Sequence, residues 1–367
     1  MKRTIALLLV LVSLFSSSSI AYATEGNEII ADELTYRIQA VVSSWDSMHT
    51  VSETKELLDF AGNDYTAVEY IPSGYIIYNN ASATIVERSE NSPSPFLDLY
   101  GNLFYGGPTY YYQYNEATEE FVHTVLGYSV DSSDVSARST ICAEVQEELI
   151  NQMEAKRSVA NTNIAALTEA YSGFSYVGYE RHFFANLTSK EDMGHWGNDS
   201  GACCGYRAAA LMLLWYNYYR DHNFIDSRYL KPSSAAFNGD SFTAHLYDVG
   251  TNLGYGDYLN AAQVASIMYR YLWDERGFYA VTWNQNAPSK SDIIAQLRLN
   301  RPVVYVDEFF DPTSPYNTVN HDIVVYGWND STNELVAHFG WPNYSEVICS
   351  SPPLALFLSS ACTIINW

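Results

Sequence analysis

Two adjacent cysteines, Cys203 and Cys204, stand directly before an apolar stretch of the chain. A thiol becomes a strong nucleophile only as a thiolate, and a helix N-terminus or a neighbouring imidazolium lowers its pKa. Residues 208–219 are apolar almost all round, which predicts a buried helix that begins close to the cysteines. This position predicts an activated thiol at Cys204, and Gly205 after it lets backbone or substrate approach closely.

The imidazole that would pair with this thiol has to come from elsewhere in the chain, and His321 is the best placed of the eight histidines. It begins the predicted strand NHDIVVYGW, where a sheet can hold the ring towards a helix N-terminus. The next predicted strand supplies His338, in VAHFGW, as a third polar group that could orient the ring. A cysteine, a histidine and an orienting group are what nucleophilic catalysis by a thiol requires.

Each of these residues also has an ordinary structural interpretation. Cys203 and Cys204 could take part in a structural disulfide, and either thiol could be the one that the helix end activates. His321 and His338 could be packed strand residues. A zinc site that combines both histidines with His195 is a further alternative, but no HExxH or CxxC spacing accompanies them.

The elements of the N-terminal half predict a small α+β unit. Apolar residues recur at helical spacing over 24–60, with a second short helix at 56–58, and residues 65–130 have the texture of strands and turns. Residues 143–170 form a polar helical stretch that favours a connection between two folded units. We therefore expect a boundary near 155–175 and assign the two domains as 24–157 and 158–367.

The C-terminal half contains the buried helix and predicts further helices at 259–273 and 289–299, with a strand at 277–283 between them. Either Ser289 or Ser291 is expected to cap the later helix. Five strand-like segments follow in series and predict an antiparallel sheet: PVVYVDEFF, HDIVVYGW, ELVAHFGW, SEVIC and TIINW. Helices beside such a sheet make the predicted fold class α+β.

Composition and the first residues limit the function classes. The 367-residue chain has 42 acidic and 19 basic residues and a formal net charge of −23, opposite in sign to a nucleic-acid-binding surface. Residues 1–23 combine a basic start, a short apolar run and small residues before Ala23, which is typical of a secretory signal peptide. We expect a secreted, extracellular protein with no nucleic-acid partner and no membrane contact after signal cleavage. The five cysteines cannot all pair within one chain.

Several segments resemble one family of enzymes. GACCGYRAAALM resembles the nucleophile helix of papain-like cysteine peptidases, and the closer similarity is to the streptopain family of secreted bacterial enzymes. LRLNRPVVYVDEFF before NHDIVVYGW resembles the strand that precedes the catalytic histidine of that family, and HFGW resembles its Asn-Trp-Gly-Trp segment. SGYIIYN and ATIVERSENSP resemble the inhibitory propeptide of such zymogens.

The resemblance implies a papain-like peptidase domain after an inhibitory propeptide-like domain. It implies Cys204 as the nucleophile, His321 as the general base and His338 in the place of the orienting Asn. Asn198, six residues before the nucleophile, stands where the family has a Gln whose amide stabilises the oxyanion with the backbone N–H of Cys204. Phe339 and the Trp two residues later would shield the pair from water. The implied partners are a protein or peptide substrate and the chain's own propeptide, and no cofactor is implied.

Two other functions stay open at this point. The third histidine gives weight to a cell-wall peptidase or amidase of the Cys-His-His type. The replacement of the family's Gln and Asn by Asn198 and His338 is also consistent with a catalytically impaired papain-like binding protein.

Overall fold

The computed structural model describes residues 25–45, 48–60, 62–127, 129–131, 173–197, 203–233, 235–310, 318–332, 334–349 and 359–366. The chain divides into two compact units: Met1–Val125 with Ser129–Gly173, and Leu126–Tyr128 with Phe174–Trp367. The predicted signal peptide and the predicted boundary between 157 and 158 lie outside the described residues. No helix among the described residues has both the length and the apolar character that crossing a membrane requires.

Among its described residues, the first unit contains one helix, α1 (Glu25–Ser43), and eight strands in the order β4-β3-β2-β1-β5-β6-β7-β8. Neighbouring strands are antiparallel except for the parallel pair β1 and β5. The strands are β1 Thr50–Leu58, β2 Asp64–Ile71, β3 Tyr75–Asn79, β4 Thr84–Ser89, β5 Leu103–Tyr105, β6 Tyr111–Asn115, β7 Glu120–His123 and β8 Ser129–Asp131.

The core of the first unit follows from the two periodicities of its elements. Ile38 and Val41, three residues apart, lie on one face of α1 and pack against Val68, Ile76 and Ile85 of the sheet. The predicted short helix at 56–58 is wrong, because these residues belong to strand β1. Exposure alternates there with a period of two residues, which is the pattern of a strand with one buried face.

The second unit packs helices against an antiparallel sheet in the order β10-β15-β11-β12-β13-β14, with β9 paired to β12. The mixed α+β fold class is confirmed. The helices are α2 His182–Ala185, α3 Cys204–Tyr219, α4 Ser241–Asn252, α5 Ala261–Tyr271 and α6 Lys290–Arg298. The strands are β9 Ser175–Tyr176, β10 Val281–Asn286, β11 Val303–Phe310, β12 Thr318–Asn329, β13 Glu334–His338, β14 Val347–Cys349 and β15 Ser360–Asn366.

Most predicted elements of the second unit are confirmed, and the differences occur at their ends. Ser289 caps α6 in a reciprocal capping box with Asp292. The helix predicted over 259–273 ends in a π-helical turn, Leu272–Arg276, so the strand after it begins only at Val281. Helix α4, which carries buried Phe242 and Leu246, had no counterpart in the sequence prediction.

Helix α3 positions the predicted site. Every residue from Cys204 to Asn217 is buried, which confirms the prediction of a buried helix. The helix packs on β11 and β12 and against α4 and α5. At its far end the hydroxyl of Tyr216 donates to the carbonyl of Ile364 on β15 at 2.6 Å. These contacts direct the first residue of α3 at the strand that contains His321.

Candidate active site

Cys204 is the first residue of α3, and its side chain contacts strand β12. The thiol donates to Oδ2 of Asp322 at 3.0 Å. Both residues are only 1% exposed. The start of the helix therefore contacts β12 at the residue directly after His321.

The environment of Cys204 keeps its thiol protonated. Burial raises the pKa of the Cys204 thiol well above its usual value, and the carboxylate of Asp322 raises it further. The backbone of Asp322 and the guanidinium of Arg207 act in the opposite direction on this pKa. The pKa of Cys204 is therefore raised in this arrangement and not lowered as the sequence predicts, because the thiol is buried beside a carboxylate.

Cys203 lies at the N-terminal cap of α3 and is a thiol rather than half of a disulfide. Burial raises the pKa of the Cys203 thiol to about 11, although Arg207 lowers it, and Asp257 adds a smaller rise. Neither of the two adjacent cysteines is a thiolate near neutral pH in the described arrangement.

His321 is held by a backbone group and an aromatic ring. Its Nε2 lies 2.8 Å from the carbonyl oxygen of Phe339. A carbonyl oxygen only accepts hydrogen bonds, so Nε2 carries the hydrogen, and Nδ1 has the lone pair in the neutral ring. The ring packs on Trp341 with 4.6 Å between centroids, and both residues are buried. This arrangement fixes one tautomer and makes Nδ1 the basic nitrogen.

His338 does not supply the contact that the sequence predicts for it. Its Nε2 bonds to the carbonyl of Leu187 at 2.9 Å, and its Nδ1 accepts from the backbone N–H of Gly340 at 2.9 Å. Burial lowers the pKa of His338 to about 4, although the bond to Leu187 opposes this. His338 is therefore neutral near pH 7, and both of its ring nitrogens are engaged by the backbone.

The strand register explains why Phe339 orients His321 instead. His338 pairs with Val324 across β12 and β13, so the two share a face of the sheet. His321 is three residues before Val324, and successive strand residues point to opposite faces. His321 and His338 therefore project to opposite sides of the sheet. The orienting group is the carbonyl of Phe339, one residue after β13 ends.

Asp322 is the site residue that the sequence analysis missed. It shares a face with Val324, two residues later, and Val304 pairs with both Val324 and Cys362. Asp322 and Cys362 are therefore on one face of the sheet, and the charge of Asp322 adds to the rise that burial gives the pKa of Cys362. The available signal was an acidic residue directly before the apolar run IVVYGW, since a buried acid generally has a partner.

Gly205 and Arg207 fix the geometry around the start of α3. A Cβ at Gly205 would lie 2.9 Å from Leu259 and 3.2 Å from Oδ2 of Asp322, so only glycine fits there without a shift. The guanidinium of Arg207 donates from Nε and Nη2 to the carbonyl of Trp196 at 3.1 and 2.9 Å. Arg207 therefore ties the segment before the helix to the first turns of α3.

The other predicted site residues are Asn198 and His195. Asn198 lies outside the described residues, so its role at the oxyanion stays a prediction. His195 is buried, 6% exposed, two residues before Gly197. Within the described ranges no group of three or more His, Cys, Asp or Glu side chains could hold a metal ion.

No protein-family model and no curated protein matches this chain. The similarity to papain-like peptidases stays a resemblance of the quoted segments.

Proposed function

We propose that this chain is a secreted cysteine peptidase with a papain-like domain, made as a zymogen with an inhibitory N-terminal domain. The nucleophile is Cys204 and the general base is His321. The observation that carries the proposal is the approach of the start of α3 to β12, where Cys204 contacts Asp322, the residue after His321. Asp322 and His321 point to opposite faces of the sheet, so the sulfur has to turn away from the Asp322 face to reach His321. The hydrogen bond from Nε2 of His321 to Phe339 supports it, since it makes Nδ1 the basic nitrogen.

The proposed reaction is hydrolysis of a peptide bond in two stages. The Cys204 sulfur attacks the substrate carbonyl carbon as its proton passes to Nδ1 of His321, and the carbonyl oxygen becomes an oxyanion. The backbone N–H of Cys204 and the amide of Asn198 would stabilise that oxyanion. Collapse breaks the C–N bond, and the imidazolium gives its proton to the leaving amine. Water, deprotonated by His321, then hydrolyses the thioester and regenerates the thiol.

The described arrangement corresponds to a resting state of this enzyme. The Cys204 thiol is protonated and donates to Asp322. It has to leave that carboxylate before it can pass its proton to His321. A buried, protonated thiol is a poor nucleophile, which agrees with the proposed zymogen.

Active-site labelling of the secreted protein tests the proposal. An epoxysuccinyl inhibitor is added before and after limited proteolysis, and peptide mass spectrometry locates the modified residue. We expect labelling at Cys204 only after proteolysis, together with hydrolysis of casein. Cys204→Ala should abolish both, whereas the matched variant Cys203→Ala should retain them. Labelling at Cys203 instead would reassign the nucleophile to the neighbouring thiol.

A second candidate function is a papain-like binding protein with an impaired site. The raised pKa values of both Cys203 and Cys204 favour it, because neither thiol is activated in the described arrangement. A processed, folded protein that the inhibitor labels at neither cysteine would support this candidate over the peptidase. The Cys-His-His cell-wall enzyme has no such support, since both ring nitrogens of His338 bond to the backbone.

A further inference from the structure

The hydrogen bond between Cys204 and Asp322 is buried, so solvent has almost no access to it. Both residues are 1% exposed, and the distance from Sγ to Oδ2 is 3.0 Å. Gly205 brings the helix backbone to the same carboxylate, where an added Cβ would lie 3.2 Å from Oδ2. The carboxylate is therefore part of the packing between α3 and β12, and it is not a surface acid that solvent could screen.

The chemistry of this pair is one-directional. The thiol is the donor to Oδ2, so the shared hydrogen lies on sulfur, and the carboxylate acts to keep it there. Loss of that proton would place two negative charges in contact in a buried environment, where their repulsion is large. A thiolate at Cys204 is thus disfavoured for as long as the sulfur stays beside Asp322.

Other described groups also act on the pKa of this thiol. The guanidinium of Arg207 on α3 and the backbone of Asp322 on β12 lower the pKa of Cys204. Burial and the Asp322 carboxylate raise it. On β15 Cys362 faces the same carboxylate as a protonated thiol. Arg207 directs two of its N–H groups at the carbonyl of Trp196, so its charge is already shared.

We propose that Asp322 is a positioning residue that holds Cys204 as an unreactive thiol, so that the site becomes reactive only when the sulfur leaves this carboxylate. The meaning of this for catalysis rests on the proposed peptidase function. The protonation state of the thiol does not depend on that function, and it can be measured without any substrate.

The first test follows the S–H stretching band of Cys204 by infrared spectroscopy of the full chain, with Cys204→Ala subtracted. This readout needs no access of a reagent to the buried sulfur. In the natural sequence we expect the band to persist above pH 9.0, the ordinary pKa of a thiol. Loss of the band below that pH would overturn the proposal, and this arm requires no Asp322 variant to fold.

The second arm is Asp322→Asn, which retains the shape of the side chain and removes its charge. We expect the S–H band at a higher frequency, because the hydrogen bond is weaker, and its loss at a pH at least about one unit lower, a tenfold change in the ionisation constant. Asp257→Asn is the matched control, because Asp257 acts on Cys203. It should leave the band of Cys204 unchanged. An unchanged band in Asp322→Asn would overturn the proposal.

The outcomes separate this inference from the peptidase proposal. If Asp322→Asn releases the thiol but the processed protein cleaves no peptide and takes no inhibitor, the inference stands and the peptidase proposal fails. If the processed protein is a peptidase and Asp322→Asn leaves the band and its pH of loss unchanged, the inference fails alone.

Discussion

Each of the two units buries a carboxylate, and the two carboxylates accept hydrogen bonds from different kinds of donor. Glu87 in the first unit accepts from the hydroxyls of Tyr75 and Tyr111 at 2.6 Å and of Tyr105 at 3.0 Å. Asp322 in the second unit accepts from the thiol of Cys204. Both acids are almost completely buried.

The difference lies in which group of each pair has its pKa shifted. Burial raises the pKa of Glu87 to about 7, although its three tyrosine bonds oppose this, so the acid itself titrates. At Asp322 the donor is a thiol, and the carboxylate makes that thiol harder to ionise. Glu87, bonded to three tyrosines, therefore titrates itself, whereas Asp322 raises the pKa of the thiol beside it.

The largest expected effect comes from removing the Glu87 side chain. Glu87→Ala leaves three buried tyrosine hydroxyls without their acceptor and also creates a cavity. We expect a loss of about 3–5 kcal/mol in the free energy of unfolding of the first unit. Urea unfolding of the full chain, followed by hydrogen exchange of residues 75–89, measures it. A loss below about 1 kcal/mol would mean that the cluster contributes little to the fold.

The pH dependence of the first unit gives the next largest effect. The folded pKa of Glu87, about 7, is raised above its ordinary value of 4.5, so the unfolded chain ionises first as pH rises. The contribution of Glu87 to stability is therefore greatest below pH 4.5 and falls by about 3 kcal/mol as pH rises from 4.5 through 7. Hydrogen exchange of residues 75–89 across this range measures it, and Glu87→Gln should remove the slope. A slope that persists in Glu87→Gln would assign it to another group.

Single tyrosine variants measure how much each hydroxyl that donates to Glu87 contributes to stability. Tyr111→Phe removes a 2.6 Å bond to the carboxylate and Tyr105→Phe removes a 3.0 Å bond. We expect Tyr111→Phe to cost about 2 kcal/mol and Tyr105→Phe about 1 kcal/mol at pH 8, where Glu87 is charged. Urea midpoints of the two variants give the ranking. Equal costs would contradict the link between bond length and strength.

The smallest expected effect is a loss of stability in the second unit when the Cys204 thiol ionises at alkaline pH. The folded pKa of the Cys204 thiol is raised, so its contribution to stability is present below the ordinary thiol pKa of 9.0 and is lost as pH rises above it. We expect a loss of about 1 kcal/mol between pH 9 and 10 that is absent in Cys204→Ala. Exchange of β12 amides, compared between the two proteins at each pH, is the measurement. A loss of equal size in Cys204→Ala would exclude Cys204 as its cause.

The sequence was sufficient to predict those elements whose own residues specify their structure. Helix α3 is apolar on every side, so it had to be buried, and Ser289 with Asp292 specifies the start of α6 locally. Residues 56–58 were misread because two adjacent leucines fit a helix as well as a strand. Only the pairing of β1 with β2 shows that Leu57 is the buried one.

The site was harder to predict because its contacts depend on strand register. Cys204 and His321 were identified as candidates from residue type and position. No pattern in the sequence reveals that His338 pairs with Val324 and so faces away from His321. The group that does orient His321 is a backbone carbonyl, which every residue has, so its identity gives no signal in the sequence.

The anchoring of Arg207 to Trp196 has a consequence for how the site could move. Because the segment before α3 is tied to the helix by a buried guanidinium, displacing that segment would separate a charge from its acceptor inside the protein. The smallest movement that takes the sulfur of Cys204 away from Asp322 is instead a rotation about the Cα–Cβ bond of Cys204. Such a bond occupies a small number of staggered positions. The thiol would then alternate between discrete orientations, without a continuous range between them.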